Sequence, residues 1–140
     1  MNSTIKKVID KLTKYPDIKY NYTDNELNIE PKDEKGFSVS IGANHREIVV
    51  SSDFWHEHFD NDEEEKALNC FAFMLSDSCR LKIEYKGDKP KTWTIESYEN
   101  NEWVSDSTTG LFNLKFWLPT KIEYRQNNFL KTRENNKDNE

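Results

Sequence analysis

The stretch Cys79-Arg80-Leu81-Lys82-Ile83-Glu84-Tyr85 alternates strictly between apolar and charged side chains. Successive side chains of a β-strand point to opposite faces, so this pattern predicts a strand with one buried face and one face in water. Further strand-like runs follow at residues 92–98, 102–105, 111–118 and 121–125, and short turn sequences separate them. The second half of the chain is therefore predicted to be a β-meander of about five strands.

The first half of the chain has the pattern of one helix followed by four short strands. Apolar residues recur at the spacing of one helical face, at Ile5, Val8, Ile9 and Leu12. Lysines occupy the other face, so we expect an amphipathic helix that lies across a sheet. The strand-like runs are residues 18–23, 27–29, 37–41 and 47–51. The Asp, Asn, Pro and Gly residues between them predict hairpin turns.

A second helix is predicted between the two halves. Asn61, with Glu64 three residues later, fits a capping box, which marks the start of a helix. The apolar residues that follow reach nearly all the way round the helix: Ala67, Leu68, Cys70, Phe71, Ala72, Phe73, Met74 and Leu75. We therefore expect this helix to be the most buried one and to end at residues 76–78.

These elements fit a single α+β domain over residues 1–130 of the 140-residue chain. Each element has one apolar side to bury, so we expect one antiparallel sheet of about 7–9 strands with two helices packed on one face. Residues 131–140 contain no apolar side chain. A polar segment of this kind is predicted to be a disordered tail.

The overall charge of the chain makes some classes of binding partner unfavourable. The formal net charge is −6, which repels nucleic acid and anionic lipid, so neither is an expected partner. No apolar run is long enough to span a membrane, and no secretory signal is visible. We therefore expect a cytoplasmic protein in which Cys70 and Cys79 are reduced thiols.

The acidic segment, residues 53–65, is the strongest functional signal. It holds seven carboxylates, two of the three histidines and no Lys or Arg. The carboxylates of residues 62–65 fall in the first turn of the predicted helix, where the helix dipole favours anions, so most of this charge needs no ligand to explain it.

Tryptophans beside polar neighbours add a second signal. Aromatic anchors next to steering carboxylates are typical of a surface that docks on a basic protein. The predicted docking residues are Asp53, Trp55, Glu57, Asp60, Trp103 and Trp117. The alternative is that these aromatic residues belong to the core. The leading hypothesis is a small acidic binding protein without enzyme activity that masks a basic protein partner, as bacterial immunity proteins or secretion chaperones do.

A metal site is the rival hypothesis. If the segment is extended, His56, His58 and Asp60 lie on one side with Phe54, while Trp55, Glu57 and Phe59 lie on the other. Two imidazoles and a carboxylate are ligands that zinc and iron sites use, and His45 is a candidate fourth ligand. The simpler reading is that the histidines only form hydrogen bonds, so no cofactor is predicted and a divalent metal remains the alternative.

Three further possibilities have weaker support. Cys70 beside a histidine would form a thiol nucleophile pair, but cysteines in an apolar helix or at the start of a strand, as Cys79 is, are usually inert. The hydroxyl-rich loop at residues 105–110 could bind phosphate or sugar, although the same residues form ordinary hairpin turns. A small-ligand cavity between sheet and helix is left open.

Three sequence boxes together carry a resemblance. They are Trp55-His56-Glu57-His58-Phe59, then Leu75-Ser76-Asp77-Ser78-Cys79-Arg80, then Thr108-Thr109-Gly110-Leu111 with Phe116-Trp117. In this order they resemble a group of small uncharacterised bacterial single-domain proteins with a Trp-His-x-His-Phe box, over roughly residues 37–127. The resemblance implies no activity, and it indicates that the box matters to the fold or to a site.

Overall fold

The computed structural model describes residues 1–52, 55–110 and 121–132, with the side chains of residues 106–110 left out. Asp53, Phe54, the strand predicted at residues 111–118 and residues 133–140 of the predicted tail lie outside the described residues. The described elements are α1 (Ser3–Leu12), β1 (Tyr20–Tyr22), β2 (Glu26–Ile29), β3 (Val39–Ala43), β4 (Glu47–Ser52), β5 (Trp55–Asp60), a 3-10 turn (Asn61–Glu63), α2 (Glu64–Leu75), β6 (Cys79–Lys86), β7 (Lys89–Glu99), β8 (Glu102–Gly110) and β9 (Lys121–Arg125).

The predicted α+β class with two helices and antiparallel strands is confirmed, but the single sheet is wrong. The described strands form two antiparallel sheets. The N-terminal sheet has the order β1-β2-β3-β4-β5, and the C-terminal sheet has the order β8-β7-β6-β9. Each strand of the N-terminal sheet pairs with the next one along the chain, as the turn sequences predicted.

The pairing of β6 explains why there are two sheets. β7 is hydrogen-bonded to one side of β6 and β9 to the other, so β6 has no edge on which β5 could pair. The predicted meander is observed for β6, β7 and β8, whereas β9 crosses over to the far side of β6. The β7–β8 hairpin turns at Asn100 and Asn101, whose φ angles of 53° and 67° are those that a two-residue hairpin requires.

The two helices lie against the N-terminal sheet, as predicted. α1 contacts β3, while α2 contacts β3, β4 and β5 and also reaches β6 of the second sheet. The apolar faces of both sheets and both helices join one core cluster, in which the largest fully buried side chains include Ile5, Ile41, Met74 and Leu81. Neither helix of the described residues has the length and hydrophobicity that a membrane span requires.

The predicted capping box lies one residue earlier than expected, and it caps a 3-10 turn rather than α2 itself. Asp60, not Asn61, is the cap: its carboxylate accepts from the Glu63 backbone, and the Glu63 side chain accepts from the Asp60 N–H at 3.2 Å. Asp60 is the last residue of β5 and is still extended, with φ −69° and ψ 159°, which is the conformation that a cap needs. A 3-10 turn therefore precedes α2.

α2 is also less enclosed than its apolar composition predicts. Ala67, Phe71, Met74 and Leu75 are buried, but Leu68, Cys70 and Phe73 are half-buried and Ala72 is exposed. These less buried residues face two hollows. One hollow lies between α2 and β5, and the other lies between α2 and α1. The excess apolar surface of α2 therefore lines cavities rather than filling the core.

Asn127 connects three parts of the fold. Its side-chain carbonyl accepts from the Phe37 N–H at 3.1 Å, and its amide donates to the Phe37 and Met74 carbonyls at 3.0 and 3.1 Å. Asn127 is 2% exposed. The segment after β9 is thus fixed to the loop before β3 and to the end of α2. Gly36 is part of this contact, because a Cβ there would lie 2.7 Å from the Asn127 Oδ1.

We predict that Asn127→Ala lowers the free energy of unfolding by about 3 kcal/mol, because it leaves buried backbone groups without partners. Asn128→Ala is the matched control, since Asn128 is exposed, and it should change stability by less than about 0.5 kcal/mol. Urea unfolding monitored by tryptophan fluorescence measures both. Equal stabilities for the two variants would contradict the role assigned to Asn127.

Candidate binding site

Strand β5 alternates as the sequence predicts. His56 and His58 are exposed on the outer face of the N-terminal sheet, whereas Trp55 is 3% exposed and lies in the core. Glu57 and Phe59 share the inner side with Trp55, and Glu57 is exposed while Phe59 is half-buried. Among the described strands, β5 is last in the order of its sheet and pairs only with β4.

A cavity of about 260 Å³ lies between β5, α2 and the C-terminal sheet. The residues that line it are Trp55, Phe59, Cys70, Phe73, Met74 and Ile95, together with Glu57. Trp55, Met74 and Ile95 are buried and form the floor, and the more exposed members mark the mouth. Glu57 is the one carboxylate in the lining among the described residues. The cavity therefore combines aromatic and aliphatic side chains with one carboxylate.

Further carboxylates follow Glu57 along the chain. Among the described residues, the carboxylates of Asp60, Asp62 and Glu63 lie within 4.8 Å of one another. Glu63 pairs with Lys66 and Glu64 with Lys7. The remaining carboxylates of residues 55–65 form no ion pair within the described chain; they are Glu57, Asp60, Asp62 and Glu65. We call Glu57, Asp60, Asp62, Glu63 and Glu65 the acidic rim.

Hydrogen bonds stabilise the charged form of two carboxylates in this segment, Glu63 and Glu64. The backbone N–H of Asp60, followed by the Lys66 side chain, lowers the pKa of Glu63 below its ordinary value. The Lys7 side chain lowers the pKa of Glu64 in the same direction, and the Thr4 hydroxyl, 2.7 Å from the carboxylate, adds to the effect. Glu64 thereby joins α1 to α2, so its role is structural and it is not counted in the acidic rim.

The predicted docking residues do not form one surface. Trp55 is in the core, so for this residue the core alternative is correct, and Asp53 and Trp117 lie outside the described residues. Trp103 stacks on Arg80, which projects from the face of the C-terminal sheet opposite the buried Cys79 and Leu81. Ile95, which lines the cavity, pairs with Leu81 on the other face. Trp103 is therefore separated from the cavity by the sheet itself. Glu57 lines the cavity, whereas Asp60 lies with Asp62 and Glu63 at the end of β5.

Trp103 belongs to a different cluster. The Arg80 guanidinium lies 4.4 Å from the Trp103 ring centre and 4.0 Å from that of Tyr124, and its Nε donates to Glu96 at 2.6 Å. Tyr98 packs edge-on against Trp103 at 5.2 Å. Because Glu96 is 6% exposed, Arg80 compensates a buried charge, and the aromatic rings hold it in place. The aromatic signal at Trp103 is explained by this structural role.

The predicted metal ligands are only partly brought together. The His56 Nδ1 and His58 Nε2 atoms are 3.1 Å apart, but the Asp60 carboxylate is engaged in the cap of the 3-10 turn. His45 lies exposed in the β3–β4 turn and forms no hydrogen bond with either histidine in the described structure. The carboxylate beside the histidines is instead Glu47 of β4, whose Oε2 is 3.0 Å from the His58 Nδ1. Sequence reasoning missed Glu47, because only the β4–β5 register brings it near His58.

The structure also describes the two cysteines and the hydroxyl-rich segment that the sequence offered as weaker candidates. Cys70 lines the cavity beside aromatic residues and Glu57, and Cys79 is fully buried in β6. The hydroxyl-rich residues 105–110 continue strand β8 rather than forming a loop.

No known protein family, curated protein or solved structure matches this chain, so the resemblance of the Trp-His-x-His-Phe box remains a prediction.

We predict that Glu64→Gln destabilises the protein by about 0.5–1 kcal/mol at neutral pH, the size expected for a partly exposed ion pair. The folded-state pKa of Glu64 is lowered, so this stabilisation is fully present above the ordinary glutamate pKa and is lost as the pH falls through the folded-state value. Urea unfolding across this pH range should show the difference from wild type shrinking toward acid pH. Glu65→Gln is the control, and an equal, pH-independent effect in both variants would contradict the assignment.

We also predict that one thiol reacts rapidly in the native protein and the other does not. Cys70 is half-buried in the wall of the cavity, whereas Cys79 is 0% exposed, so a small thiol reagent that enters the cavity should reach Cys70 first. The rate of labelling by Ellman's reagent, with Cys70→Ser as control, measures this. Equal rates for the two thiols would show that the cavity is not open to solvent.

Proposed function

We propose that this protein is a cytoplasmic binding protein, not an enzyme, that docks a basic segment of a protein partner at the mouth of the cavity. One observation carries the proposal: Glu57 lines a cavity together with aromatic and aliphatic side chains, and the carboxylates of Asp60, Asp62 and Glu63 cluster at the end of the same strand. The cytoplasmic assignment is supported by Cys70 and Cys79, which are thiols rather than a disulfide.

The chemistry of the site favours one kind of ligand. The apolar walls suit a single leucine, methionine or aromatic side chain, and Glu57 suits a lysine or arginine next to it. The acidic rim attracts further positive charge, which speeds association and orients the partner. A segment with an apolar anchor between basic residues satisfies all three features, whereas a nucleic acid or an anionic lipid would be repelled.

This proposal replaces the docking surface expected from the sequence. It retains Glu57 and Asp60 and adds Phe59, Cys70 and Phe73 of the cavity. Trp103 is left out, because Arg80 and Tyr98 already engage its ring. The anchor of the interaction is thereby assigned to the partner, and this protein supplies the pocket that receives it.

The test is binding of short synthetic peptides rich in Lys and Arg, each with a central Trp, Leu or Ser. We predict that the Trp and Leu peptides bind more tightly than the Ser peptide and that binding weakens as salt concentration rises. Glu57→Gln should weaken the binding about fivefold, as for loss of one ion pair of about 1 kcal/mol. Isothermal titration calorimetry on the full chain measures these affinities.

One variant tests the contribution of the cavity, and a second variant outside the site is the control. Cys70→Leu partly fills the cavity and should remove the preference for Trp over Ser while leaving the salt dependence. Glu26→Gln removes an exposed carboxylate of β2 that lies outside the acidic rim and should leave every affinity unchanged. The proposal fails if none of the basic peptides binds, or if Glu57→Gln and Glu26→Gln behave alike.

A further inference from the structure

The outer face of strands β4 and β5 carries a hydrogen-bonded chain of three titratable side chains. Glu47 Oε2 lies 3.0 Å from His58 Nδ1, and His58 Nε2 lies 3.1 Å from His56 Nδ1. The two imidazole rings meet edge to face, with an interplanar angle of 89°. These groups point away from the cavity, so the docking proposal does not use them.

The separation of the two imidazole nitrogens is that of two ligands on one metal ion. With metal–nitrogen bonds of about 2.05 Å, neighbouring nitrogens lie about 2.9 Å apart in a square plane and about 3.4 Å apart in a tetrahedron. The observed 3.1 Å lies between these values. The histidines are two residues apart on one face of a strand that is paired along its length with β4, so the backbone fixes their spacing.

Glu47 prepares His58 for this role. In the tautomer that donates the His58 Nδ1 proton to the Glu47 carboxylate, the Nε2 lone pair is directed toward His56, where a metal ion would take the place of the hydrogen bond between the rings. A carboxylate that accepts from the second nitrogen of a metal-bound histidine is a recurrent feature of such sites, where it orients the ring and raises its basicity. His56 supplies Nδ1 when its own proton is on Nε2.

We propose that His56 and His58 form a two-histidine site for a transition-metal ion of the Cu²⁺, Ni²⁺ or Zn²⁺ type, with Glu47 as its positioning residue. Imidazole nitrogen suits these ions, and Cu²⁺ binds most tightly in the general order of affinities. The His58 side chain is 52% exposed, so water or a ligand from another molecule completes the coordination. Asp60, the third ligand predicted from the sequence, forms no hydrogen bond with either imidazole among the described residues, so it is not part of the proposed site.

The test is titration of the untagged full chain with Cu²⁺, using calorimetry for stoichiometry and electron paramagnetic resonance for the number of nitrogen ligands. We expect one ion per chain with two nitrogen ligands. His56→Gln and His58→Gln should each abolish this signal, and His45→Gln should leave it intact. Glu47→Ala should weaken binding by about tenfold or more.

The control for the neighbouring carboxylates is Asp62→Asn. Asp62 belongs to the cluster with Asp60 and Glu63, which as an oxygen-donor set would favour Mg²⁺ or Ca²⁺ over Cu²⁺. This variant should bind Cu²⁺ like wild type. No binding by the wild-type protein, retention of the two-nitrogen signal in both single histidine variants, or its loss in Asp62→Asn would each overturn the proposal. Circular dichroism without metal verifies that every variant is folded.

Discussion

The pairing of β6 with a strand on each side is the constraint on which the rest of the structure depends. β7 follows β6 through a tight turn, but β9 reaches the other side of β6 only by crossing over. The residues after β9 are then fixed, since Asn127 binds Phe37 and Met74 and the Leu75 carbonyl accepts from the Phe129 N–H at 3.1 Å. With both sides of β6 occupied, β5 does not pair with β6, and among the described strands it pairs only with β4. The space between its inner face, α2 and the second sheet becomes the cavity.

The edge strand β5 presents two different surfaces because its side chains alternate. Glu57 and Phe59 face the cavity, while His56 and His58 face outward and meet Glu47. A docking site and a metal site on opposite faces of one strand do not compete for the same side chains. Three members of the acidic rim, Asp60, Asp62 and Glu63, lie together where the strand passes into the 3-10 turn, and the Glu63 side chain accepts a hydrogen bond from the Asp60 N–H.

Local patterns in the sequence predicted the elements better than their arrangement. The alternation of residues 79–85, the helical spacing of Ile5, Val8 and Leu12, and the two sides of β5 were all correct, because each depends on neighbours a few residues apart. The division into two sheets depends on which strand pairs with β6, and that is set by contacts between residues about 40 positions apart. Glu47 was missed for the same reason. One feature of the sequence pointed to the cavity, because α2 has more apolar surface than one core face requires.

The central claim is that a basic segment with an apolar anchor binds at the mouth of the cavity and not on the opposite face of the C-terminal sheet. An ¹H–¹⁵N NMR titration of the full chain with a lysine-rich peptide carrying one tryptophan locates the binding surface directly. The account predicts saturable shifts centred on the amides of Glu57, Phe59, Cys70 and Phe73. Shifts centred instead on Arg80, Trp103 and Tyr124 would contradict it.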